Sequence, residues 1–411
     1  MQLYLLALNP TDSVTEGFRP AARRLGLDVT VLTDQPAVHP SGPGVEVLEC
    51  DVRDFRAVIS RIATHRPPDA VFTNSDHLQT QAALAADYYG LPAKSWQAAL
   101  RTKDKAEMRR RLAAAGADSV WSAELPAGQD PAAVLAGPDV PYPCVVKPRE
   151  GVASEDVIRV DDPADLIRRC EEIAARRPGA ALVVEEYLPG GLFTLETLGD
   201  GRTRRVLGGF RTELSAPPYF VEERLTYVPA HPEPVVAGVL AQLDALGVGF
   251  GACHTEFVVH EGRARLIEVN YRAIGDQCDL LLAELLDVPL FEHILRVHLG
   301  EPLPAGPAPR TDRAARLDYP CARRAGTLTA APGATELTAG GVRLTYRPLR
   351  APGEHHPLHH TNRDLLGVLR TIGPDQDAVD RAATDFLAAH RWEITETAET
   401  AETAETAETA S

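Results

Sequence analysis

The strongest constraint on the fold lies in the first hundred residues, where short apolar runs alternate with amphipathic stretches. Leu3–Leu8 reads as a buried strand, Asn9-Pro10-Thr11 as a turn, and residues 14–25 as a helix. Leu27–Leu32 and Val45–Leu48 read as further strands, 52–65 as a helix, and Ala70–Thr73 as a fourth strand. Strands that alternate with helices imply crossover connections and a parallel sheet. Such sheets bind ligands at the carboxyl ends of their strands, which draws attention to Asn74-Ser75-Asp76. Asp76 also suits the cap of a helix starting near Leu78, and both readings stand.

The pattern then changes. A helix is expected over about 104–115, capped by Asp104 and ended by Gly116. Pro141-Tyr142-Pro143 leads into a strand at Cys144-Val145-Val146-Lys147, and residues 163–176 read as an amphipathic helix. Ala181–Tyr187 and Leu192–Leu198 read as strands on either side of the turn Pro189-Gly190-Gly191. A helix over 233–246 precedes strands over 252–259 and 263–269. A Pro/Gly-rich linker, Glu301–Pro309, is followed by a β-rich segment, Gly326–Leu349, and a helix over 376–390. The fold class expected is α/β in front and α+β behind. The domains expected are an N-terminal αβ domain over 1–100, a central lobe with its linker helix over 101–190, a C-terminal lobe over 191–300, a small β-rich and helical segment over 301–394, and a tail over 395–411. The tail repeats Thr-Ala-Glu, has no basic residue and no large apolar side chain to bury, and reads as disordered or frayed.

Composition removes several classes of function. With 42 basic against 58 acidic residues the net charge is −16, and no basic stripe is interleaved with aromatics, which argues against nucleic acid as a partner. Arg109-Arg110-Arg111 reads as a solvated helix face. No apolar run is long enough for a membrane helix, and no basic leader precedes the opening strand, so a cytoplasmic protein without a membrane partner is expected. Six scattered cysteines without a CxxC pair fit reduced, buried thiols. Only four residues are lysine, namely Lys94, Lys103, Lys105 and Lys147; the other 38 basic residues are arginine. Each lysine therefore marks a place where a compact point charge is wanted rather than a planar fork.

Three stretches carry chemistry. In the first, His254-Thr255-Glu256 is followed across a hairpin by Leu266-Ile267-Glu268-Val269-Asn270-Tyr271-Arg272. Adjacent strands can set Glu256 beside Glu268, and Asn270, two residues on, shares the face of Glu268. Two carboxylates and an amide oxygen make a hard site that suits Mg²⁺ with bound phosphates better than zinc. The same residues also fit two solvated acids on a hairpin. In the second, Val145-Val146-Lys147-Pro148 runs into Arg149-Glu150-Gly151-Val152-Ala153-Ser154. Lys147 can place one charge on a polyphosphate while loop N–H groups and Ser154 cover the rest. An ordinary strand-to-helix connection fits the same residues. In the third, Leu182–Gly190, a strand end offers backbone N–H and C=O groups to an adenine edge, or simply ends in solvated acids.

In this order the pieces resemble the ATP-grasp superfamily of carboxylate–amine ligases. The resemblance covers roughly residues 1–390, with its motifs between Lys105 and Asp276. It implies ATP-grasp architecture: an N-terminal parallel αβ domain, a small central lobe and a C-terminal lobe, with ATP between the last two. Lys105 and Lys147 resemble the ATP-phosphate lysines, with Lys103 a near-register competitor. The loop Gly151–Ser154 would close over the phosphates, Ser154 among its contacts. Glu185, Glu186 and Leu188 resemble the adenine hinge. Glu256, Glu268 and Asn270 resemble the Mg²⁺ ligands, with Mn²⁺ as a second candidate metal. Arg272 resembles the arginine that steadies the reacting carboxylate and acyl phosphate, so Arg272 and Lys147 are the expected catalytic residues. The sequence departs from the family where Leu192 follows Gly190-Gly191 in place of glutamate, leaving Glu196 as a weak ribose contact. It departs again where Asp276 replaces the second glycine of Asn-Pro-Arg-x-Gly-Gly.

The implied reaction activates a carboxylate as an acyl phosphate, releases ADP and couples the acyl group to an amine. The partners implied are a small-molecule carboxylate and an amine, and a homodimer, which the class often forms. Glu268–Leu299 and the region beyond look most like enzymes of siderophore and peptide-like natural-product pathways. A carboxylase or purine-pathway enzyme on the same scaffold is the first alternative. A non-catalytic nucleotide-binding module is the second, although it should have lost some of Glu256, Glu268, Asn270 and Arg272. Arg211 and His254 are candidates near the γ-phosphate or substrate, against a surface charge and a strand histidine. The run His355–His360 reads as loop polarity rather than a metal site. Lys94 has no place in this scheme.

Overall fold

The computed structural model describes residues 1–117, 120–137, 139–304 and 310–396. The chain divides into two compact units. The first is Met1–Ala123, Leu188–Gly209 and Val228–Arg310; the second is Glu124–Tyr187, Phe210–Tyr227 and Thr311–Ser411.

The first unit opens with the expected parallel sheet, in the order Val45–Glu49, Asp28–Thr33, Gln2–Leu6, Ala70–Phe72. Gln2–Leu6 and Ala70–Phe72 are buried along their whole length, as strands of a helix-covered parallel sheet are, whereas Val45–Glu49 at one edge is only partly buried and carries Glu46 and Glu49. Tyr4, Leu6, Leu32 and Val71 pack with Val58 and Ile62 of the helix Phe55–Ala63 and with Leu78. The rest of this unit is antiparallel: Arg263–Asn270 pairs with Phe250–His260, which pairs with Leu192–Asp200. Helix Glu233–Leu246 lies on this sheet through Val239, Leu243 and Leu246. Helix Lys105–Ala114 joins the same core through Met108 and Leu112. Its N-cap is Asp104, whose carboxylate accepts from Glu107 N at 3.0 Å. Capping thus fixes the first helical residue, Lys105, against the sheet.

Ile267 has no cross-strand partner, since Glu256 faces Glu268 and Phe257 faces Leu266. This bulge shifts the alternation of the strand by one residue. Leu266 and Val269 both reach the core with Phe257 and Cys253, although they are an odd number apart. Glu268 and Asn270 are thereby turned to the opposite face.

In the second unit Cys144–Pro148 lies between Leu182–Glu186 and Ile158–Val160, all antiparallel. Helix Pro163–Arg176 packs on it through Leu166, Cys170 and Ile173, its N-terminus capped by Asp162. Further along the chain, Glu222–Val228, Ala314–Asp318, Gly367–Gly373, Val342–Pro348 and Thr335–Ala339 form antiparallel neighbours in that order. Helix Gln376–Ala389 covers them, with Phe386 on Leu344, Tyr346 and Leu369. A small sheet joins His355–His356, Gly326–Ala330 and Glu393–Thr395.

Three local expectations change. Asp76 caps no helix: it lies in a 3₁₀ turn, Asp76–Leu78, and forms an ion pair with Lys103. The arginine cluster is not a uniform solvated face. Arg109 is buried and donates to the Leu266 carbonyl at 2.8 Å, whereas Arg110 pairs with Glu107 at the surface. The repeat tail begins inside a strand, since Thr395 ends Glu393–Thr395. Residues 397–411, and 305–309 of the expected linker, lie outside the described residues. None of the six cysteines is in a disulfide, and five of them are buried.

Candidate active site

The bulged hairpin collects polar side chains on one sheet face. Register pairs Glu256 with Glu268 and His254 with Asn270 on one side, and Glu256 with Thr194 and His254 with Glu196 on the other. Three strands therefore contribute six polar residues to a face whose reverse is core. Helix Lys105–Ala114 adds Lys105 Nζ, 3.0 Å from Glu268 Oε1. His254 sits between two acids, with Nδ1 2.7 Å from Glu196 Oε1 and Nε2 3.3 Å from Glu256 Oε1. Thr194 Oγ1 donates to the same Glu196 oxygen at 2.8 Å. Burial lowers the affinity of His254 for its proton, but Glu196 and Glu256 outweigh burial and raise its pKa to about 10. The ring is a cation at neutral pH. Burial in turn pushes the Glu256 carboxyl up, and the His254 cation, with Lys105 and Arg272, holds it below its ordinary value.

The donor set is hard and oxygen-rich. Glu256 and Glu268 stand cross-strand with partly exposed side chains, 19% and 23% respectively. Lys105 and His254 each engage one carboxylate oxygen, which leaves a second oxygen on each acid. Asn270 adds an amide oxygen on the same face. Among the described residues no group of three or more His, Cys, Asp or Glu could hold a metal. The set of two carboxylates and one amide fits a hard cation that keeps water and phosphate oxygens as its remaining ligands.

Arg272 follows at the end of this strand. Its Nη1 donates to the Ala273 carbonyl at 3.0 Å, and its charge, after Lys103, helps hold the buried Asp76 carboxyl below its ordinary value. Leu188 belongs to this unit too. Its side chain is buried with Val120 and Val258, so only its backbone can serve a hinge. Glu196, expected at most as a ribose contact, is instead committed to His254.

The second unit holds the other expected residues. Lys147 and Glu185 are diagonal neighbours on adjacent strands, since Lys147 faces Val183 and Glu185 faces Val145. Their side chains form a buried ion pair at 2.7 Å. Glu186, half-buried, ends the strand, and Tyr187 N donates to the Pro143 carbonyl at 3.1 Å. The loop after Lys147 has left-handed backbone at Ala153 and Ser154, φ +57° for each. Non-glycine residues resist that conformation, and the surroundings hold it. Asn362 N donates to the Ala153 carbonyl at 3.1 Å. Glu155 pairs with Arg177 and Arg363, and Asp156 with Arg176 and Arg177. Arg211 is exposed. His356 is buried and bonded to Asp364 Oδ1 at 2.9 Å, a structural contact.

Sequence reasoning missed the Glu196–His254–Glu256 array as a unit. The signal was partial: Thr194 and Glu196 alternate on an expected strand, but only the register of the sheet sets that strand beside the hairpin.

Residues 140–280 match the ATP-grasp domain family. That segment carries an ATP-grasp domain, and the fold along nearly the whole chain is like that of solved ATP-grasp structures. It is similar to an L-amino acid ligase from Bacillus licheniformis, with a TM-score of 0.81 and 22% identity over 96% of this chain and 99% of that one. It is also similar to the biotin carboxylase domain of the Hydrogenobacter thermophilus 2-oxoglutarate carboxylase, whose structure is a complex with MgADP, ADP and bicarbonate. There the TM-score is 0.70 and the identity 15%, over 95% of this chain and 90% of that one. An uncharacterized protein, y4rH, from Sinorhizobium fredii is 25% identical over 96% of this chain and 84% of its own length.

Proposed function

We propose that the protein is an ADP-forming carboxylate–amine ligase that uses ATP with Mg²⁺ or Mn²⁺. The single observation that carries the reading is the face of Glu256, Glu268 and Asn270, backed by Lys105 and followed by Arg272. The likeness in fold to the L-amino acid ligase supports the acceptor class. In this reading Glu256, Glu268 and Asn270 hold the metal, which when bound shields the phosphate charge. Lys105 and Lys147 neutralise phosphate oxygens, and Glu185, Glu186 and the Leu188 backbone serve the adenine. The loop with Ser154 covers the phosphates and keeps water from an intermediate it would hydrolyse. Arg272 orients the carboxylate as its oxygen attacks the γ-phosphate, ADP departs, and the amine then displaces phosphate from the acyl group. Positioning and electrostatics supply the catalysis, and no enzyme nucleophile is needed. We place the enzyme in the cytoplasm, as the reduced thiols suggest, acting in a peptide-like or siderophore natural-product pathway.

The test is a screen of ADP release with MgATP over pairs of the twenty L-amino acids, then hydroxy acids with amines. ADP release that needs both a carboxylate and an amine supports the ligase. Release with bicarbonate and no amine would support a carboxylase. Glu268→Gln should lower turnover at least about a hundredfold while the melting temperature holds; near-normal turnover in that variant refutes the metal assignment.

A further inference from the structure

Lys94 remains outside the reaction as described, yet it is one of only four lysines and is fully buried. It precedes the helix Trp96–Lys103, whose N-cap is Ser95. Its Nζ donates to the Tyr271 carbonyl and, at 2.7 Å, to Gln79 Oε1. It also stands 4.5 Å from the centre of the Tyr271 ring. Gln79 Nε2 in turn donates to the carbonyls of Thr73 at 3.1 Å and Ser75 at 3.0 Å. One ammonium thus links the carboxyl end of the parallel strand Ala70–Phe72 to the corner Asn270-Tyr271-Arg272. Three more bonds brace that corner: Ala273 N donates to Asn74 Oδ1 at 3.1 Å, and the Tyr271 hydroxyl accepts from Gly249 N at 3.2 Å and from Phe250 N at 3.1 Å.

We infer that Lys94 is a positioning residue that sets Arg272 for the carboxylate substrate. The inference rests on the ligase reading above. The choice of lysine follows from the slot. Gly251 has φ +73°, and a Cβ there would lie 2.7 Å from Lys94 Cε and 3.2 Å from His298 Nε2. The stem lies close against the glycine backbone, and a guanidinium is broader than the lysine stem that packs there. Burial pushes the ammonium down to about 7, a cost that a surface cation would not bear. A chain that uses arginine for 38 of its 42 basic residues has kept lysine at this point.

Steady-state kinetics test this on the full chain, with MgATP and the L-amino acid pair that releases most ADP. The variants are Lys94→Met, Lys94→Arg and Gln79→Met, measured beside Glu268→Gln. For Lys94→Met we expect kcat/KM for the carboxylate to fall about tenfold or more while the melting temperature holds. KM for ATP should move by less than about twofold. A purely structural role would not give that split. Lys94→Arg should not restore the rate. Gln79→Met leaves the lysine but removes one of its acceptors, and it should show the same split, which serves if Lys94→Met does not fold. An unchanged kcat/KM for the carboxylate in a folded variant, with Glu268→Gln inactive, overturns the inference and leaves the proposed function standing. An active Glu268→Gln overturns the proposed function, and this inference with it. If neither Lys94→Met nor Gln79→Met folds, the brace serves stability, and the positioning role is likewise overturned.

Discussion

In the proposed reaction Lys147 and Glu185 carry two tasks with one contact. As a buried ion pair they stabilise little, but removing either partner strands a charge and costs about 3–5 kcal/mol. A Lys147→Met variant should therefore lose both turnover and stability. The double variant Lys147→Met/Glu185→Gln should recover most of the melting temperature and none of the activity, as thermal denaturation and ADP release would show. If the double variant were active, Lys147 would not be a phosphate contact. The sequence made Lys147 and Glu185 conspicuous one by one, because each ends an apolar strand. It did not reveal that they touch, since a diagonal cross-strand contact depends on register. The same holds for His254, whose two acidic neighbours lie fifty-eight positions before it and two after it. Arg109 was misread because three consecutive arginines look alike in sequence, whereas on a helix each points about 100° from the next.

At the scale of elements, two helices were legible almost to the residue: Pro163–Arg176 from its Asp162 cap and amphipathic stripe, and Glu233–Leu246 from its apolar run ended by Gly247. The strands Arg204–Leu214 and Glu222–Val228 were not, because arginines and glutamates along them mask the alternation. The bulge at Ile267 is equally invisible to a period-two reading, yet it lets one strand present Leu266 to the core and Glu268 to the site. The cap on Lys105–Ala114 gives a direct prediction. Asp104→Ala should cost about 1 kcal/mol in stability, and by fraying the first turn it should raise KM for ATP, since Lys105 is the first helical residue. The loop at 151–156 offers a second. Arg363→Ala removes one of the ties on Glu155 and should raise KM for ATP about threefold or more with a smaller change in kcat. An unchanged KM would show that the remaining ties suffice.

For the whole molecule, Asp279 offers a handle on stability. It is fully buried at the start of helix Cys278–Leu286, where Oδ1 accepts from Leu280 N at 2.9 Å. Burial pushes its carboxyl up to about 7 from an ordinary value of 3.8, against the pull of Ser13 and Leu280 N. Between these values the folded chain keeps a proton that the unfolded chain has lost. The stabilising contribution is complete below about pH 4 and is lost as the pH rises to about 7. Asp279→Asn should flatten that part of the stability profile, measured by denaturation in urea at pH 5 and pH 7. An unchanged slope would place the proton elsewhere. The four lysines have a consequence of another kind. Lys94, Lys105 and Lys147 are no more than 6% exposed, and the side chain of Lys103 reaches only 14%. A reagent that acylates amines will find almost no lysine target on the folded surface. The pace at which it modifies those side chains becomes a clock for the opening of the interior, available without any engineered label.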